Sequence, residues 1–367
     1  MVPHTKNLCT GLMCTLLIAV VIPPATADIW VDQDSGNDRN PGTQASPLAT
    51  IATALDRLSP GQTLHVLPNN KPWPGDIRVT VDGTKENPIT LDGHGSRISN
   101  RRVLPNDAWK RESDGVYSRS LPNNAWGMET HWEGEFPLVW FRGRAATNVT
   151  TRDQLHPGSY FLYKNRANAK NDPLHNTLFI QLPTATSLAD VESIAGEGGL
   201  FVGGDHVIVR NFVAEYGGRD GFATHRNQGV VFENVEARFF MDQGISNHGA
   251  EAIVRDSHFH HNAGAGIVDV YPESNVRYEA CVIENNTWRG GVELHAGRFH
   301  LVDCVIRHNR GQTLVVTKGA TAVLERCLLI GGPDTTGRLV RKSSDSSLTL
   351  DSCTLTQGKS GGAAIDD

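Results

Sequence analysis

The chain has 367 residues, of which 20% are charged, and a formal net charge of −6 with its histidines neutral. Because it is net acidic and has no concentrated run of Lys or Arg, its composition argues against a nucleic-acid partner. The 37 glycines and 18 prolines indicate many short turns and exclude an architecture of long helices.

The N-terminal residues have the pattern of a secretory signal. A weakly cationic start with His4 and Lys6 precedes an apolar run over residues 12–22, and PPATA predicts cleavage after Ala27. The apolar run is too short to span a bilayer. We therefore expect residues 1–27 to be removed, which leaves a secreted or periplasmic protein without a membrane partner. Its charge is then near −7, because Lys6 is lost.

A short amphipathic helix is predicted near the start of the mature chain. Four apolar residues recur there at helical spacing: Leu48, Ile51, Leu55 and Leu58. Gly61 follows them as a stop signal.

An internal repeat of about 23 residues occupies the second half of the chain. Four cysteines in similar contexts mark it at intervals of 23, 23 and 26 residues: Cys281, Cys304, Cys327 and Cys353. In the same register, Asn262, Asn286 and Asn309 each stand five residues after a serine or a cysteine. The pattern extends backward to about Phe212.

A second set of short strands follows the same repeat, with the sequences GFATH, GISNH, GIVDV, GVELH and TLVVT. Because several short strands per repeat leave no room for a crossover helix, each strand must lie parallel to its counterpart one repeat later. This predicts a parallel β-helix with equivalent residues about 4.8 Å apart. The cysteines then form an inward column of free thiols, with pairing between adjacent coils as the alternative. The asparagines form a ladder at a turn.

The opening over residues 29–68 contains GTQASPLATIATAL followed by SPGQTLHV, and it resembles secreted pectate-lyase-like right-handed β-helix proteins. The resemblance implies an all-β, right-handed parallel β-helix whose N-terminal helix caps the coil. It also implies an acidic, uronate-containing polysaccharide as substrate. We therefore expect one monomeric domain over residues 28–367, a length that elongated all-β folds reach as a single unit.

The repeat is lost over about residues 103–194, which we interpret as a β-rich insertion packed on the side of the coil. Four tryptophans concentrate in it: Trp109, Trp126, Trp132 and Trp140. Most of them are expected to form the insertion's own core, and one or two are candidates to stack on sugar rings.

The stretch DQGISNHG at residues 242–249 predicts a polar face on the outside of the coil. If Ile245 points inward, alternation sends Ser246 and His248 outward. The later sequences VDV and VEL favour inward apolar residues with Asp269 and Glu293 outward, so a bulge is expected between the two registers. The predicted face comprises Asp220, His225, Asp242, His248, Asp269, Glu293 and His295, with Arg219, Arg289 and Lys318 at its edges.

Acids stacked at coil spacing repel one another, which suggests a functional role for this face. The resemblance favours β-elimination, with Ca²⁺ held by Asp242, Asp269 and Glu293. His248 is the first choice of catalytic base and Lys318 the second. Four further residues are expected to contact the substrate: Arg219, His225, Arg289 and His295.

Other functions fit the same face. Carboxylates on adjacent coils lie roughly 5 Å apart and those on alternate coils roughly 9 to 10 Å, which suits retaining and inverting glycosidases respectively. C5-epimerisation of a uronate polymer shares the first step of elimination. A non-catalytic carbohydrate-binding coil is the alternative from another class. The HFHH run at residues 258–261 is a weaker candidate for zinc, because it lacks spaced ligand pairs.

Overall fold

The computed structural model describes residues 27–121, 132, 134–165, 168, 171–287, 290–332, 339–357 and 365–366. The predicted signal sequence, Trp126 and Arg289 lie outside these residues. Within the described ranges, no helix is long and apolar enough to cross a membrane.

Three parallel β-sheets run along the coil, and the chain visits them in turn. The first sheet contains β1 (Ile29–Val31), β2 (Thr63–Val66), β5 (Ile89–Ser99), β16 (Val207–Gly217), β18 (Val230–Glu233), β21 (Glu251–Arg255), β24 (Asn275–Glu279), β27 (Arg298–Val302), β30 (Thr321–Glu325) and β33 (Ser347–Asp351). The second contains β3 (Trp73–Pro74), β19 (Glu236–Phe240), β22 (His258–His260), β25 (Val282–Glu284), β28 (Val305–Asn309), β31 (Leu328–Gly331) and β34 (Thr354–Thr356). The long strands β5 and β16 take part in both.

The third sheet forms the remaining side of the coil. Its strands are β4 (Ile77–Val79), β15 (Leu200–Val202), β17 (Phe222–His225), β20 (Ile245–His248), β23 (Ile267–Val270), β26 (Gly290–His295), β29 (Gln312–Thr317), β32 (Val340–Lys342) and β35 (Ile365–Asp366). Each strand pairs in parallel with the next along this order. The predicted parallel β-helix is confirmed.

Alternation of side chains along the strands produces the core. In β21, Ala252 and Val254 are buried, whereas the other three residues are exposed. The parallel register places Val276 beside Ala252 and Tyr278 beside Val254, so the same face is apolar in successive coils. Burial of a large apolar side chain contributes about 1.5–3 kcal/mol, and the columns repeat that contribution coil after coil.

The predicted cysteine column is confirmed. Cys281, Cys304 and Cys327 are buried between the first and second sheets, and Cys353 is partly exposed. All four are free thiols.

The asparagine ladder is confirmed as well. Asn262 Nδ2 donates to Asn286 Oδ1 at 3.0 Å, and Asn286 Nδ2 donates to Asn309 Oδ1 at 2.9 Å. The backbone N–H groups of Asn262 and Asn286 donate to the same oxygens. The ladder therefore satisfies buried backbone groups at the turn between the second and third sheets.

The N-terminal helix α1 (Ile51–Leu55) is shorter than the predicted apolar pattern. Thr50 caps it, because the Thr50 hydroxyl accepts a hydrogen bond from Thr53 N at 3.2 Å. Leu48 precedes the helix and forms a β-bridge with Val31. The helical spacing of apolar residues therefore extends beyond the helix itself. The apolar residues that flank α1 are not helical, and their side chains are buried against the coil.

The insertion leaves the coil after β5 and returns before β15. A four-stranded sheet contains β6 (Arg101–Val103), β9 (Val139–Phe141), β10 (Arg144–Ala145) and β14 (Val191–Ile194). A five-stranded sheet contains β7 (Lys110–Ser113), β8 (Val116–Ser120), β11 (Thr147–Asn148), β12 (Ser159–Tyr163) and β13 (Thr177–Gln181). Short 3-10 helices lie beside them at Asn106–Ala108, Arg152–Gln154 and Leu188–Asp190.

The insertion has its own apolar core, which continues onto the side of the coil at Met241 and Ala263. Trp109, Trp132 and Trp140 are all buried. The expectation that most tryptophans serve this core is confirmed for Trp109 and Trp132, whereas Trp140 is buried outside it against Arg101 and Tyr216. The insertion lies beside the entrance to the third sheet, where β20 and β23 begin.

Candidate functional site

The register of the third sheet decides which of its side chains face outward. Four apolar residues that directly follow a glycine occupy equivalent inward positions: Phe222, Ile245, Ile267 and Val292. Alternation from these positions sends His248 and Glu293 outward, as predicted, but sends Asp269 inward. The described pairs of β17, β20, β23 and β26 show no register shift, so the predicted bulge is wrong.

Asp269 lies fully inside the coil, which corrects its predicted place among the outward catalytic and calcium-binding carboxylates. Its Oδ1 accepts a hydrogen bond from Asn247 N at 2.8 Å, and its Oδ2 accepts one from the Tyr278 hydroxyl at 2.6 Å. Burial raises the pKa of Asp269 to about 7. Val268 and Val270, predicted to be inward, take the outward positions of this strand.

Asp220 and Asp242 precede β17 and β20 and are buried beside each other. Ser246 Oγ donates to Asp220 Oδ2 at 2.8 Å, and the side-chain amide of Gln243 donates to Asp242 Oδ1. Burial, reinforced by the neighbouring charge of Asp242, raises the pKa of Asp220 to about 7. Asp220 therefore keeps its proton to higher pH than an ordinary carboxyl group does.

His248 belongs to an aromatic group at the end of β20. Its ring centroid lies 6.3 Å from that of His225 and 5.9 Å from that of Tyr271. The Arg226 guanidinium lies 5.5 Å from the centroid of the Tyr271 ring. Burial, together with the charges of His225 and Arg219, lowers the pKa of His248 to about 4. The imidazole is therefore neutral at pH 7.

Glu293 lies on β26, two coils beyond His248. It is 4% exposed, and its Oε2 lies 3.0 Å from His295 Nε2. The other ring nitrogen of His295 lies 2.6 Å from Thr317 Oγ1. His295 therefore orients Glu293 and is itself held by the next coil.

Two polar groups, one around His248 and one formed by Glu293 and His295, thus lie on either side of an apolar floor. Val268 and Val270 form this floor on the intervening coil. Two coil spacings separate the polar groups by about 9.6 Å. We define the outer-face site as Arg219, Asp220, Asp242, His248, Tyr271 and Glu293.

Three buried polar atoms of the outer-face site lack a hydrogen-bond partner among the residues that the structure describes: Arg219 Nε, His248 Nε2 and Glu293 Oε1. An unpaired buried polar group costs about 1–3 kcal/mol. Such atoms call for an explanation, and a bound ligand that supplies the missing partner is one. Their chemistry, with a cationic donor, a neutral imidazole and a carboxylate, suits a polar, hydroxyl-rich and anionic molecule.

The remaining predicted residues lie at the margins. Arg219 NH1 lies 3.7 Å from Glu197 Oε2. The charge of Arg219 also acts on Asp220 and on His248, which places Arg219 near both residues. Lys318 is exposed in the turn after β29, one coil beyond the turn that follows His295. Arg289 lies outside the described residues.

Tyr271 and Arg226 were missed from the sequence. Residues five positions after the repeat's glycine or threonine share a left-handed turn with φ between 60° and 88°: Arg226, Gly249, Tyr271, Ala296 and Lys318. Counting five residues onward from each repeat start would have placed Tyr271 and Arg226 in this column beside His248.

Comparisons with known proteins agree with the fold. A family model described as a right-handed β-helix region matches residues 198–356. No curated protein matches the chain. A solved structure of XylC in complex with xylose has a TM-score of 0.52 at 12% identity, covering 88% of this chain and 69% of that chain.

Two further solved structures are less similar. Pectate lyase Pel9A has a TM-score of 0.49 at 12% identity, with 92% of this chain and 82% of that chain covered. An alginate lyase from Paenibacillus sp. str. FPU-7 has a TM-score of 0.46 at 11% identity, with 86% and 95% covered. The continuous parallel sheets and the family match together identify the chain as a right-handed parallel β-helix protein.

Proposed function

We propose that the chain is a polysaccharide lyase that binds a uronate-containing chain across the outer-face site and cleaves it by β-elimination. The observation that carries this proposal is the set of three unpaired buried atoms, Arg219 Nε, His248 Nε2 and Glu293 Oε1. A uronate offers a carboxylate to Arg219, a ring proton to His248 and hydroxyl groups to Glu293.

The proposed elimination needs a base for the C5 proton and an acid for the leaving oxygen. His248 Nε2 takes the proton at C5, the C5–H electrons form the C4–C5 double bond, and the bond from C4 to the glycosidic oxygen breaks. The Tyr271 hydroxyl donates a proton to that leaving oxygen. Arg219 neutralises the carboxylate, which makes the C5 proton easier to remove. His225, His295, Lys318 and Arg289 are proposed as further substrate contacts.

The low pKa of His248 in the protein alone is compatible with a role as base. Burial and the charges of His225 and Arg219 lower this pKa to about 4. A substrate carboxylate bound to Arg219 compensates that positive charge and adds a negative one, so the imidazole becomes more basic when substrate is present.

Calcium does not fit the predicted ligand set, because Asp269 faces into the coil while Glu293 faces outward. Asp220 and Asp242 carry like charges close together, so a divalent cation bound between them would relieve their repulsion. Measuring the reaction with added Ca²⁺ and with a chelator tests this role of a cation.

Hydrolysis is the second candidate. Asp220 has a pKa raised to about 7 by burial and by Asp242, which suits a general acid. Asp242 lies on the adjacent coil, roughly one coil spacing from Asp220, which is close to the separation between acid and nucleophile in retaining glycosidases. In that mechanism Asp242 attacks the sugar while Asp220 protonates the leaving oxygen.

The test is incubation of the purified protein with pectate, alginate and glycosaminoglycans, following both the ultraviolet absorbance of unsaturated uronates and the release of reducing ends. We expect both signals to rise. His248→Gln should lower the rate by roughly 10²–10⁴-fold. His308→Gln, at an exposed position near the end of β28 in the second sheet, is the matched control and should keep the wild-type rate.

Reducing ends without new absorbance would replace elimination by hydrolysis. Neither signal with any of these polymers, while binding persists, would favour the non-catalytic carbohydrate-binding protein.

Export is proposed from the N-terminal sequence alone, and sequencing the N-terminus of protein recovered outside the cytoplasm tests cleavage after Ala27.

A further inference from the structure

Two histidines lie close together on the outer face of the first sheet, at the N-terminal end of the coil. The register aligns Trp30 on β1 with His65 on β2, and His65 with Asp92 on β5. His94 follows Asp92 by two residues in a left-handed conformation with φ of 49°. This turn brings the His94 ring back over His65, with ring centroids 5.1 Å apart.

The facing nitrogens of the two rings are near each other. His65 Nδ1 lies 2.9 Å from His94 Nε2. One ligand atom each from His65, Asp92 and His94 lie within 4.8 Å of one another. Two metal–nitrogen bonds of about 2.05 Å that meet at a right angle place their nitrogens about 2.9 Å apart, which is the tetragonal geometry of Cu²⁺.

Carboxylates stand at the far nitrogen of each ring. Asp28 Oδ2 lies 3.3 Å from His65 Nε2, and Asp92 Oδ1 lies 3.7 Å from His94 Nδ1. A carboxylate at one nitrogen keeps the proton there and turns the lone pair of the other nitrogen toward a metal. Asp28 is close enough to His65 Nε2 to accept this hydrogen bond, whereas the 3.7 Å from Asp92 to His94 Nδ1 is a longer electrostatic contact that favours the same tautomer. In that tautomer of both rings, two lone pairs point at the same place, where a cation would be stabilised.

Asp92 is held in position from the other side. Its Oδ2 accepts a hydrogen bond from Arg210 Nε, and its Oδ1 accepts one from Asn211 Nδ2, each at 2.8 Å. Asp92 therefore has limited capacity left to bind a metal directly. The rings supply the main ligands, and Asp92 serves chiefly to orient His94.

We propose that His65 and His94 form a surface site for a late first-row divalent metal, with Cu²⁺ bound more tightly than Ni²⁺ or Zn²⁺. The order follows the general preference of nitrogen ligands among these ions. Because the two residues belong to different coils, the metal links the first coils of the β-helix. The site is independent of the outer-face site and of its proposed reaction.

Trp30 provides the readout, since its ring stacks on His65 with centroids 4.0 Å apart. Tag-free full-length protein is titrated with Cu²⁺ while tryptophan fluorescence is followed. We expect quenching that saturates at one equivalent, and we expect Trp30→Phe to remove most of that change. His65→Gln and His94→Gln should each weaken binding at least tenfold, and Asp28→Asn by about tenfold.

Two controls separate this site from other histidines. His156→Gln removes an exposed histidine of the insertion and should leave the titration unchanged. His260→Gln removes a ring whose Nδ1 lies 2.7 Å from His261 Nδ1 on the second sheet, and it should also leave the quenching unchanged. Nitrogen hyperfine splitting from two imidazoles is expected in the electron paramagnetic resonance spectrum of the one-equivalent complex.

The proposal is overturned if His65→Gln and His94→Gln bind Cu²⁺ like the wild type while circular dichroism shows them folded. It is equally overturned if His260→Gln abolishes the quenching, or if no saturable binding occurs. In those cases the 2.9 Å contact is a hydrogen bond between two imidazoles.

Discussion

Asp269 shows how a single side chain changes role when its direction changes. Outward, it would have been a ligand or a catalyst. Inward, it accepts hydrogen bonds from Asn247 and Tyr278 within the core. Its pKa is raised to about 7, so the protonated form is favoured by the fold.

Asp269 should make stability depend on pH. Its pKa rises on folding from 3.8 to about 7, so its contribution is fully present below pH 3.8 and is lost as pH rises through 7. Asp269→Asn keeps the size of the side chain and cannot ionise. We expect the melting temperature of the variant to fall less than that of the wild type between pH 5 and pH 8, measured by calorimetry.

Asp269→Ala is the companion variant, because it leaves Asn247 N and the Tyr278 hydroxyl without their acceptor. It should lower the free energy of unfolding by about 2–4 kcal/mol at pH 5, and by less at pH 8, where the wild type has itself lost the contribution of protonated Asp269. Equal pH dependence in the wild type and Asp269→Asn would contradict a raised pKa at this residue.

His248 should set the acidic limb of the pH–rate profile. A base works only when deprotonated, and burial with the charges of His225 and Arg219 lowers the pKa of His248 to about 4. For free enzyme and substrate, kcat/KM should therefore fall as pH drops through about 4, and not near the ordinary value of 6.5. Arg219→Gln removes one of those charges and should move this limb to higher pH. A limb unaffected by Arg219→Gln would speak against His248 as the titrating group.

At the scale of the element, the turn between the second and third sheets depends on the asparagine ladder. Asn286 Oδ1 accepts hydrogen bonds from Asn262, and Asn286 Nδ2 donates to Asn309 Oδ1 and to Phe259 O. Asn286 thus connects its own coil to both neighbours.

Asn286→Ala should lower the free energy of unfolding by about 3 kcal/mol, because it leaves buried donors and acceptors on both sides unpaired. Denaturant unfolding measures this change. Asn275→Ala, at the exposed start of β24, is the matched control and should change stability by less than about 0.5 kcal/mol. A similar, small effect of both substitutions would mean that water replaces the ladder.

The mistaken register of β23 also belongs to this scale. The two valines around Asp269 suggested an inward VDV pattern, but the glycine before each strand was the better guide. Counting from Gly266 and Gly291 puts Ile267 and Val292 inward and separates Asp269 from Glu293. A shift of one residue reverses the direction of every side chain in a strand. Because the register was counted from the wrong residue, Asp269 was placed on the same face as the other proposed calcium ligands.

For the whole molecule, each coil contacts mainly its neighbours, so opening is expected to start at the ends. The cysteine column runs from buried coils toward the C-terminal coil. The accessibility of its thiols therefore reports directly on the opening of the coils. Cys353 is partly exposed, whereas Cys281, Cys304 and Cys327 are buried.

A thiol-reactive chromogenic reagent should modify Cys353 first and the three buried cysteines only as the coils open. Added denaturant should accelerate the slow phase. Cys353→Ser should remove the fast phase and leave the slow phase in place. Detection of a disulfide between any two of these cysteines by mass spectrometry under native conditions would contradict the free-thiol column.

The sequence by itself determined the coiled architecture, the cysteine and asparagine columns and the segment in which the repeat is lost. These follow from local periodicity, because a repeat of about 23 residues stacks like residues on like. The tertiary structure decided that Asp269 faces inward, that Tyr271 lies against His248 and that His65 meets His94. Such contacts join residues of different coils, or depend on a single left-handed turn, so their geometry is set by the packing of one coil on the next rather than by periodicity along the chain.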